Sequence, residues 1–298
     1  MAATDPPLLV TGAGGLVGGT VLLVAERSGT RAMGLHRVSP PPPGVDSRAI
    51  DLLDEAATAR MMNELRPWGV IHCAAAADTA ACEQHPEWAR RVNADLPTRM
   101  AALASELGAR FLFVSTDLVF DGSRGGYREE DEARPLSVYG RTKLTGEQGV
   151  LEQAPGGLVV RTSIQYGGSV SSPRRQDIAL RAKLEAGTAT GYTDEYRCPL
   201  HCEDLAAALI ELVRGTASGL LHVAGPDRVN RFDFSVALAE ALGLPSERVI
   251  PGRIADHDGI APRAPDTSLD TGAAQELLKT RIQGLADGLT LLGAQAER

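Results

Sequence analysis

The chain of 298 residues is 43% hydrophobic and 23% charged, a composition typical of a folded globular protein. Its formal net charge of −8 argues against a surface that binds nucleic acid or anionic membranes. The N-terminal residues show no cationic leader and no apolar run is long enough to cross a bilayer, so we expect a cytoplasmic protein without a membrane partner.

Short apolar runs alternate with stretches of helical periodicity along the first half of the chain. Strands are predicted at residues 7–10, 31–36, 69–72, 110–114, 158–161 and 220–223. Helices are predicted through Val21–Ala25 and over 56–65 and 87–107, and a helix over 203–213 is expected to return to the sheet. The four consecutive prolines at 40–43 can only form a loop.

Strands that alternate with helices predict βαβ units and an α/β fold, a Rossmann-like doubly wound parallel sheet. We expect residues 1–165 to form this Rossmann domain, joined by the returning segment 203–224. The regular alternation fades after about Tyr166. Residues 166–298 are therefore expected to form a smaller substrate-binding lobe.

The cysteines indicate neither a disulfide framework nor a metal site. Cys198 and Cys202 flank His201, but this spacing is not that of a zinc motif and no second ligand pair follows. We expect reduced thiols and no bound metal.

A glycine-rich segment follows the first predicted strand. Gly12, Gly15 and Gly18 have the spacing G-x-x-G-x-x-G. Such glycines permit a tight turn, a close approach of backbone N–H groups to a pyrophosphate, and close packing of helix on strand. The following helix, which begins near Leu16 and Val17, offers unpaired N–H groups and the positive end of its dipole to phosphates. The pattern predicts a dinucleotide site.

The tip of the second predicted strand indicates which dinucleotide binds. It reads Leu35-His36-Arg37, without the acidic residue that would bind the adenine ribose of NAD. A guanidinium there suits a ribose 2′-phosphate, so Arg37 favours NADP(H) over NAD(H). The alternative is that Arg37 is a solvated cation in a loop.

Tyr139 and Lys143 are four residues apart on one face of a predicted helix, for which Pro135 and Ser137 are start signals. An ammonium this close is expected to lower the pKa of the phenol towards the working range. Tyr139 could then act as general acid towards a carbonyl under reduction. The alternative is a chance pair on an amphipathic helix.

The predicted strand over 110–114 ends at Ser115-Thr116-Asp117, at the edge where doubly wound sheets bind ligands. Thr116 could hydrogen-bond a substrate carbonyl as charge builds on its oxygen. Simple termination of the strand is the alternative for Ser115 and Thr116. The glycine segment, these hydroxyls and the Tyr/Lys helix together predict a reductase of a small-molecule carbonyl substrate.

Over nearly its whole length the chain resembles the extended short-chain dehydrogenase/reductases, and among them the dTDP-4-dehydrorhamnose reductase branch. The segments that carry the resemblance are Thr11–Gly18, Asp51–Leu52, His72–Ala77, Val92–Asn93, Val114–Gly122, Val138–Lys143, Val160–Ser163, His222–Pro226 and Thr267–Asp270.

The resemblance implies that Thr116, Tyr139 and Lys143 form the catalytic group and that Lys143 also bonds the nicotinamide ribose. The further cofactor contacts that it implies are Asp51 and Leu52 beside the adenine, Ala74, Ala75 and Ala76 in the cleft, and Asn93 as a brace. Its implied substrate contacts are Ser115, Asp117, Tyr166 and Arg263. The alternatives are a turn cap for Asp51, helix packing for the alanines, an internal hydrogen bond for Asn93 and a surface cation for Arg263.

Two positions depart from the family pattern. Leu118 follows Ser-Thr-Asp where the family usually has an aromatic residue, and Ile164 follows Arg-Thr-Ser where an aromatic often stacks on the nucleotide base. The loss of both rings reduces the stacking area for a thymidine sugar nucleotide. Leu118 also stands where related dehydratases have a glutamate, so dehydration is not expected.

The leading interpretation is an NADP(H)-dependent reductase of a nucleotide-linked 4-keto-6-deoxy sugar or a related ketone. Two alternatives stay open: a non-catalytic NAD(P)-binding regulatory subunit, like that of methionine adenosyltransferase, and a sugar-nucleotide epimerase with tightly bound cofactor. A homodimer is common in the family, so the resemblance allows one here, but the residues themselves do not indicate the oligomeric state.

Overall fold

The computed structural model describes residues 5–168, 170, 172 and 174–296. Its strands are β1 (Leu8–Thr11), β2 (Ala32–His36), β3 (Ser47–Ala49), β4 (Gly69–His72), β5 (Arg110–Thr116), β6 (Leu158–Thr162), β7 (Gln165–Tyr166), β8 (Ala189–Tyr192), β9 (Tyr196–Arg197), β10 (Leu200–His201), β11 (Gly219–His222), β12 (Val229–Asn230) and β13 (Val249–Gly252).

The α-helices are α1 (Leu16–Arg27), α2 (Glu55–Leu65), α3 (Thr79–Gln84), α4 (Pro86–Arg90), α5 (Leu96–Glu106), α6 (Val138–Gln153), α7 (Gln176–Ala186), α8 (Cys202–Arg214), α9 (Arg231–Ala241), α10 (Gly272–Leu277) and α11 (Leu285–Ala296). A π-helical turn spans Arg91–Asp95, and 3₁₀ turns span Asp117–Val119, Ser246–Arg248 and Ile254–Asp256.

Within the described residues, the central sheet has seven strands in the order β3-β2-β1-β4-β5-β6-β11, and all neighbours are parallel. The connections reverse direction between β1 and β4. In doubly wound sheets such a reversal opens a crevice at the carboxyl ends of the strands. The sheet confirms the predicted Rossmann-like fold.

Both faces of this sheet are covered, which explains why its strands are apolar at consecutive positions. In β1, Leu8 and Val10 pack with α1 and α8 on one face. Leu9 points to the other face and packs with α2, α5 and α6. Successive side chains of one strand therefore pack into two hydrophobic layers, one on each face of the sheet.

The predicted helix over 87–107 is not a continuous α-helix. The π-helical turn separates α4 from α5, and in it the Leu96 N–H bonds the carbonyl of Arg91. Pro97 has no N–H to offer the carbonyl of Asn93, so a normal α-helical hydrogen bond is missing at this place. Such turns often occur at functional sites.

A smaller set of elements lies outside the central sheet. The strands pair two by two, β7 with β10, β8 with β13 and β9 with β12. Tyr166, Leu184, Phe234 and Leu292 belong to a hydrophobic cluster of these elements, which we call the small-lobe core. By contrast, α8 packs on α1 and β11 extends the central sheet. The domain boundaries themselves stay a prediction.

In the described part of the chain, no helix is both long enough and apolar enough to cross a membrane. Nor do three or more His, Cys, Asp or Glu side chains of that part form a group suited to a metal ion.

Candidate active site

A crevice of about 650 Å³ opens at the carboxyl edge of the central sheet. It lies between the strand ends and the elements of the small lobe. Of the residues predicted from the sequence, those that line it are Gly12, Gly15, Leu16, Val17, Gly18, Ala75, Ser115, Thr116, Asp117, Tyr139, Lys143 and Arg263. The fold thus brings residues from both halves of the chain to one place.

The glycine segment leaves no room for side chains. A Cβ on Gly12, which has a φ of +69°, would lie 2.8 Å from the Ala74 nitrogen, and one on Gly18 would lie 2.4 Å from the Gly12 oxygen. α1 begins after Gly15 without a side-chain cap, so its first N–H groups are available to an anion. This cradle fits the pyrophosphate of a nicotinamide dinucleotide.

Sequence reasoning missed a fourth glycine in this segment. A Cβ on Gly14 would lie only 2.0 Å from the Ser39 oxygen, because the loop after β2 folds back over the cradle. The segment that carries Arg37 therefore packs beside the cradle.

Several predicted cofactor contacts lie outside the crevice lining. Arg37 is exposed and follows β2 directly. The Asp51 carboxylate accepts a hydrogen bond from the Leu53 N–H, as a turn cap does, and Leu52 is buried in the core. Ala74 donates its N–H to Thr11 Oγ1, which also bonds His72 Nδ1. Thr11, which sequence reasoning missed, thus ties the strand ends of β1 and β4 together.

Asn93 joins the loop after β4 to α6. Its Oδ1 accepts from the Ala76 N–H at 2.8 Å, while Nδ2 donates to the Ala76 carbonyl and to Thr142 Oγ1, both at 3.1 Å. A Cβ on Gly146 would lie 2.2 Å from the backbone carbonyl oxygen of Asn93, so glycine lets α6 approach the π-helical turn closely. Asn93 and Ala76 are buried and do not line the crevice, but their hydrogen bonds hold the loop after β4 against α6.

The interpretation of Tyr166 as a substrate-binding wall is wrong. The side chain is fully buried in the small-lobe core, with its ring 5.8 Å from those of His201 and Phe234. β7 pairs with β10, and this pairing places the ring inside the lobe rather than in the crevice.

Tyr139 and Lys143 enter the crevice from the first turns of α6. Ser137 caps this helix and its Oγ accepts from the Gly140 N–H at 3.1 Å, as the sequence signal indicated. Lys143 is almost fully buried, and its Nζ donates to the Val114 carbonyl at 2.7 Å and lies 3.8 Å from the centre of the Phe113 ring. Burial lowers the pKa of Lys143 to about 7.

The expected lowering of the Tyr139 pKa is wrong for the chain alone. Burial raises the pKa of Tyr139 to about 12, against the smaller opposing effect of a hydrogen bond with Thr116. The ammonium of Lys143 donates to the Val114 carbonyl, and its burial lowers the pKa of Lys143, so less of the lysine is charged. Tyr139 therefore holds its proton firmly.

Thr116 and Asp117 are already engaged with other side chains. Thr116 Oγ1 donates to Asp117 Oδ1 at 3.2 Å. Asp117 Oδ2 accepts from Ser163 Oγ at 2.8 Å and Thr267 Oγ1 at 3.0 Å, and Arg197 lies 3.8 Å away. Burial raises the pKa of this carboxyl group. Asp117 thus ties the end of β5 to the small lobe, and a substrate contact would compete with these bonds.

Ser115 is engaged in the same way. Its Oγ donates to Glu147 Oε1 at 2.5 Å, and Glu147 forms an ion pair with Arg161 in which Nη2 and Oε2 are 2.6 Å apart. Sequence reasoning did not find Glu147 or Arg161, although Arg161 directly precedes the Thr-Ser of a family marker.

The wall opposite the strand ends is cationic. Arg174, Arg197, Arg231 and Arg263 line it, together with Glu195. Arg263 donates to Glu195 Oε2 at 2.6 Å, whereas the buried Nη1 of Arg231 has no hydrogen-bond partner among the described residues. Of these arginines only Arg263 was predicted, because the others are scattered along a chain whose net charge is negative.

A second cavity of about 350 Å³ adjoins this wall, since Arg231 and Arg263 line both spaces. Lys183 adds a third cation, and burial together with these two arginines lowers the pKa of its ammonium. Tyr192 also lines it, with the Arg263 guanidinium 4.5 Å from its ring centre. Such a group of cations favours an anionic ligand.

Three comparisons with known proteins bear on this site. The dTDP-4-dehydrorhamnose reductase of Mycobacterium tuberculosis (strain CDC 1551 / Oshkosh) is 34% identical over 279 residues, which cover 91% of this chain and 87% of that protein. Methionine adenosyltransferase 2 subunit beta of Xenopus laevis is 30% identical over 90% of this chain and 81% of its own. The solved dTDP-4-dehydrorhamnose reductase of Bacillus anthracis str. Ames in complex with NADP has a TM-score of 0.86 at 22% identity, covering 98% and 100% of the two chains, and shows the same fold.

The sequence pattern of one family, described as the RmlD substrate binding domain, matches residues 7–295. The expected resemblance is confirmed over nearly the whole chain. The protein belongs to this family and is an NAD(P)-dependent oxidoreductase of the extended short-chain dehydrogenase/reductase type.

Proposed function

We propose that the protein is an NADP(H)-dependent reductase of a nucleotide-linked 4-keto-6-deoxy sugar or a related ketone. One observation carries the proposal: Thr116, Tyr139 and Lys143 meet in a crevice between a glycine cradle and a cationic wall. The cradle suits a dinucleotide and the wall suits a second anionic ligand, so a hydride donor and an acceptor can face each other there.

A nicotinamide held by the cradle would supply the hydride to the carbonyl carbon of the substrate. Tyr139 donates its phenolic proton to the carbonyl oxygen, and its raised pKa keeps that proton in place until negative charge develops. Thr116 can turn its hydroxyl from Asp117 towards the same oxygen and stabilise the charge. Lys143 holds a positive charge behind the phenol and supports the return of a proton to Tyr139.

The cationic wall supports a nucleotide-linked substrate. Arg231, Arg263 and Lys183 can each offer N–H groups to a diphosphate, and arginine suits phosphate oxygens through paired hydrogen bonds. Leu118 and Ile164 both line the crevice, so the missing aromatic rings do reduce the stacking surface at those positions. The similarity to the Mycobacterium tuberculosis reductase supports the same substrate class.

For the cofactor we propose NADP(H). Arg37 is exposed at the end of β2, beside the loop that packs on Gly14, which suits a ribose 2′-phosphate. Arg37→Ala should weaken NADPH binding at least tenfold and leave NADH binding unchanged, measured by fluorescence titration. Arg60→Ala, which removes an exposed cation of α2, is the control; equal effects of both substitutions would contradict the assignment.

Tyr139→Phe tests the reaction. Loss of the phenolic proton should lower kcat by about 10²-fold or more, while NADPH binding stays intact because the ring is kept. Tyr127→Phe is the matched control, since its hydroxyl bonds Asp121 outside the crevice lining. Full turnover of a keto sugar nucleotide by Tyr139→Phe would overturn the proposed role.

The similarity to methionine adenosyltransferase 2 subunit beta supports the alternative of a non-catalytic NAD(P)-binding regulatory subunit. Incubation with NADPH and a panel of keto sugar nucleotides and other ketones separates the two, because a regulatory subunit consumes no cofactor. Nicotinamide absorbance retained by the purified protein would favour the epimerase alternative instead. The homodimer and the cytoplasmic location stay predictions.

A further inference from the structure

A buried carboxylate on α6, that of Glu147, takes no part in the steps above. Tyr139, Lys143 and Glu147 follow one another at four-residue intervals on α6, so they share one helix face. Glu147 is only 2% exposed. A charged group so deep in the protein is costly unless it is paired, so its partners indicate what it does.

Two neighbouring strands hold Glu147 in place. Arg161 of β6 donates through Nε to both carboxylate oxygens at 3.1 Å and through Nη2 to Oε2 at 2.6 Å. Ser115 of β5 donates to Oε1. The residue before it, Val114, offers its carbonyl to the Lys143 ammonium at 2.7 Å. One strand therefore fixes both Lys143 and Glu147.

Few charges act on Lys143 from the elements around it. β4 and the residue after it contribute His72 and Cys73, but burial lowers the pKa of His72 to about 3 and raises that of Cys73 to about 12. Both are neutral near pH 7, as is Tyr139. Glu147, whose carboxylate forms the ion pair with Arg161, favours the ammonium of Lys143.

We propose that Glu147 is a positioning residue that favours the protonated form of Lys143 in the active site, with Arg161 and Ser115 holding its carboxylate in place. This role of Glu147 rests on the proposed function and deepens it, because a protonated Lys143 gives the positive charge that the reductase needs beside Tyr139. It concerns the charge of Lys143 and makes no demand on the identity of the substrate.

The chain itself allows a direct test, because it contains only three lysines, Lys143, Lys183 and Lys279. Full-length protein labelled with [¹³C]lysine gives three side-chain signals, which Lys183→Arg and Lys279→Arg assign. The chemical shift of the Lys143 side chain is then followed against pH in the wild type and in Glu147→Gln. Removal of the anion should lower the pKa of Lys143 by about one unit or more.

Arg161→Gln is the matched control. It breaks the same ion pair and should destabilise the fold to a similar degree, but it leaves the carboxylate and an amide that can donate to it. The proposal predicts that the pKa of Lys143 falls in Glu147→Gln and does not fall in Arg161→Gln. An unchanged Lys143 in Glu147→Gln, or the same fall in both variants, would show that the pair is only structural.

If Glu147→Gln does not fold, the double variant Glu147→Gln/Arg161→Leu replaces it, since no unpaired buried ion is left behind. The same fall in the Lys143 pKa is expected there, and its absence counts against the proposal. The titration needs no turnover. Protein that consumes NADPH but shows no shift refutes this inference alone, whereas a shift in protein that reduces no ketone refutes only the proposed function.

Discussion

The amide of Asn93 gives the sharpest test of how the crevice is held together. Asn93→Ala removes three buried hydrogen bonds, two to the backbone of Ala76 and one to Thr142. At about 1 kcal/mol for each bond, with the Ala76 N–H and carbonyl left unpaired in the interior, the variant should lose roughly 3–4 kcal/mol of unfolding free energy. For a chain of this size the melting temperature should fall by roughly 5–6 °C.

Urea denaturation and thermal unfolding of the purified variants measure this loss. Asn63→Ala is the control, because Asn63 is exposed on α2 and its Nδ2 donates to the Ala59 carbonyl of the same helix. That variant should stay within about 0.5 kcal/mol of the wild type. Asn93→Asp should also be destabilised, because it sets a second oxygen against the Ala76 carbonyl while keeping the acceptor for the N–H.

The affinity for NADPH should fall in Asn93→Ala as well, although Asn93 does not line the crevice, because the loop after β4 loses its anchor on α6. A stability of Asn93→Ala no lower than that of Asn63→Ala would refute the bracing role of the amide. A loss of stability without any loss of NADPH affinity in the remaining folded protein would refute its effect on the cofactor site.

Two other substitutions probe the glycine cradle and Lys143, the lysine proposed to be catalytic. Gly18→Ala should weaken NADPH binding at least tenfold, because its Cβ would lie 2.4 Å from the Gly12 oxygen and the backbone must shift; Gly215→Ala, whose nearest neighbour would be 3.5 Å away, should bind normally. Lys143→Met tests the lowered lysine pKa through stability. Since the pKa of Lys143 is about 7 in the fold and 10.5 ordinarily, the unfolded chain binds more protons between these values. The unfolding free energy of the wild type relative to Lys143→Met should therefore rise from pH 7 to 10, by up to about 1.4 kcal/mol per pH unit, and stay level below pH 7. A level difference between pH 7 and 10 would contradict the buried, easily deprotonated ammonium.

The central sheet could be predicted because its signal is local. Buried parallel strands are short apolar runs, and the glycine segment after β1 marks the crevice by its spacing alone. Tyr166 shows the limit of that approach. Its strand is two residues long, and only pairing with β10, more than thirty residues later, decides that the ring enters the small-lobe core.

Glu147 and Arg161 escaped prediction for a related reason. A glutamate on a polar helix usually faces water, and nothing local distinguishes Glu147 from the exposed residues around it. Its burial follows from the contact of α6 with β5 and β6, which also brings Ser115 to it. The cationic wall is hidden in the same way, since its arginines come together only in the fold.

The pKa values of the two side chains proposed to be catalytic explain why a buried anion matters here. Burial alone favours the neutral forms of both groups, the phenol of Tyr139 and the amine of Lys143. A neutral phenol suits proton donation, and so suits carbonyl reduction, but a neutral amine would give no positive charge to stabilise the phenolate that remains afterwards. Glu147 opposes burial at Lys143 and not at Tyr139, because it lies one turn beyond the lysine and two turns beyond the tyrosine. The spacing of three residues on one helix face thus lets one site keep a protonated donor next to a cation.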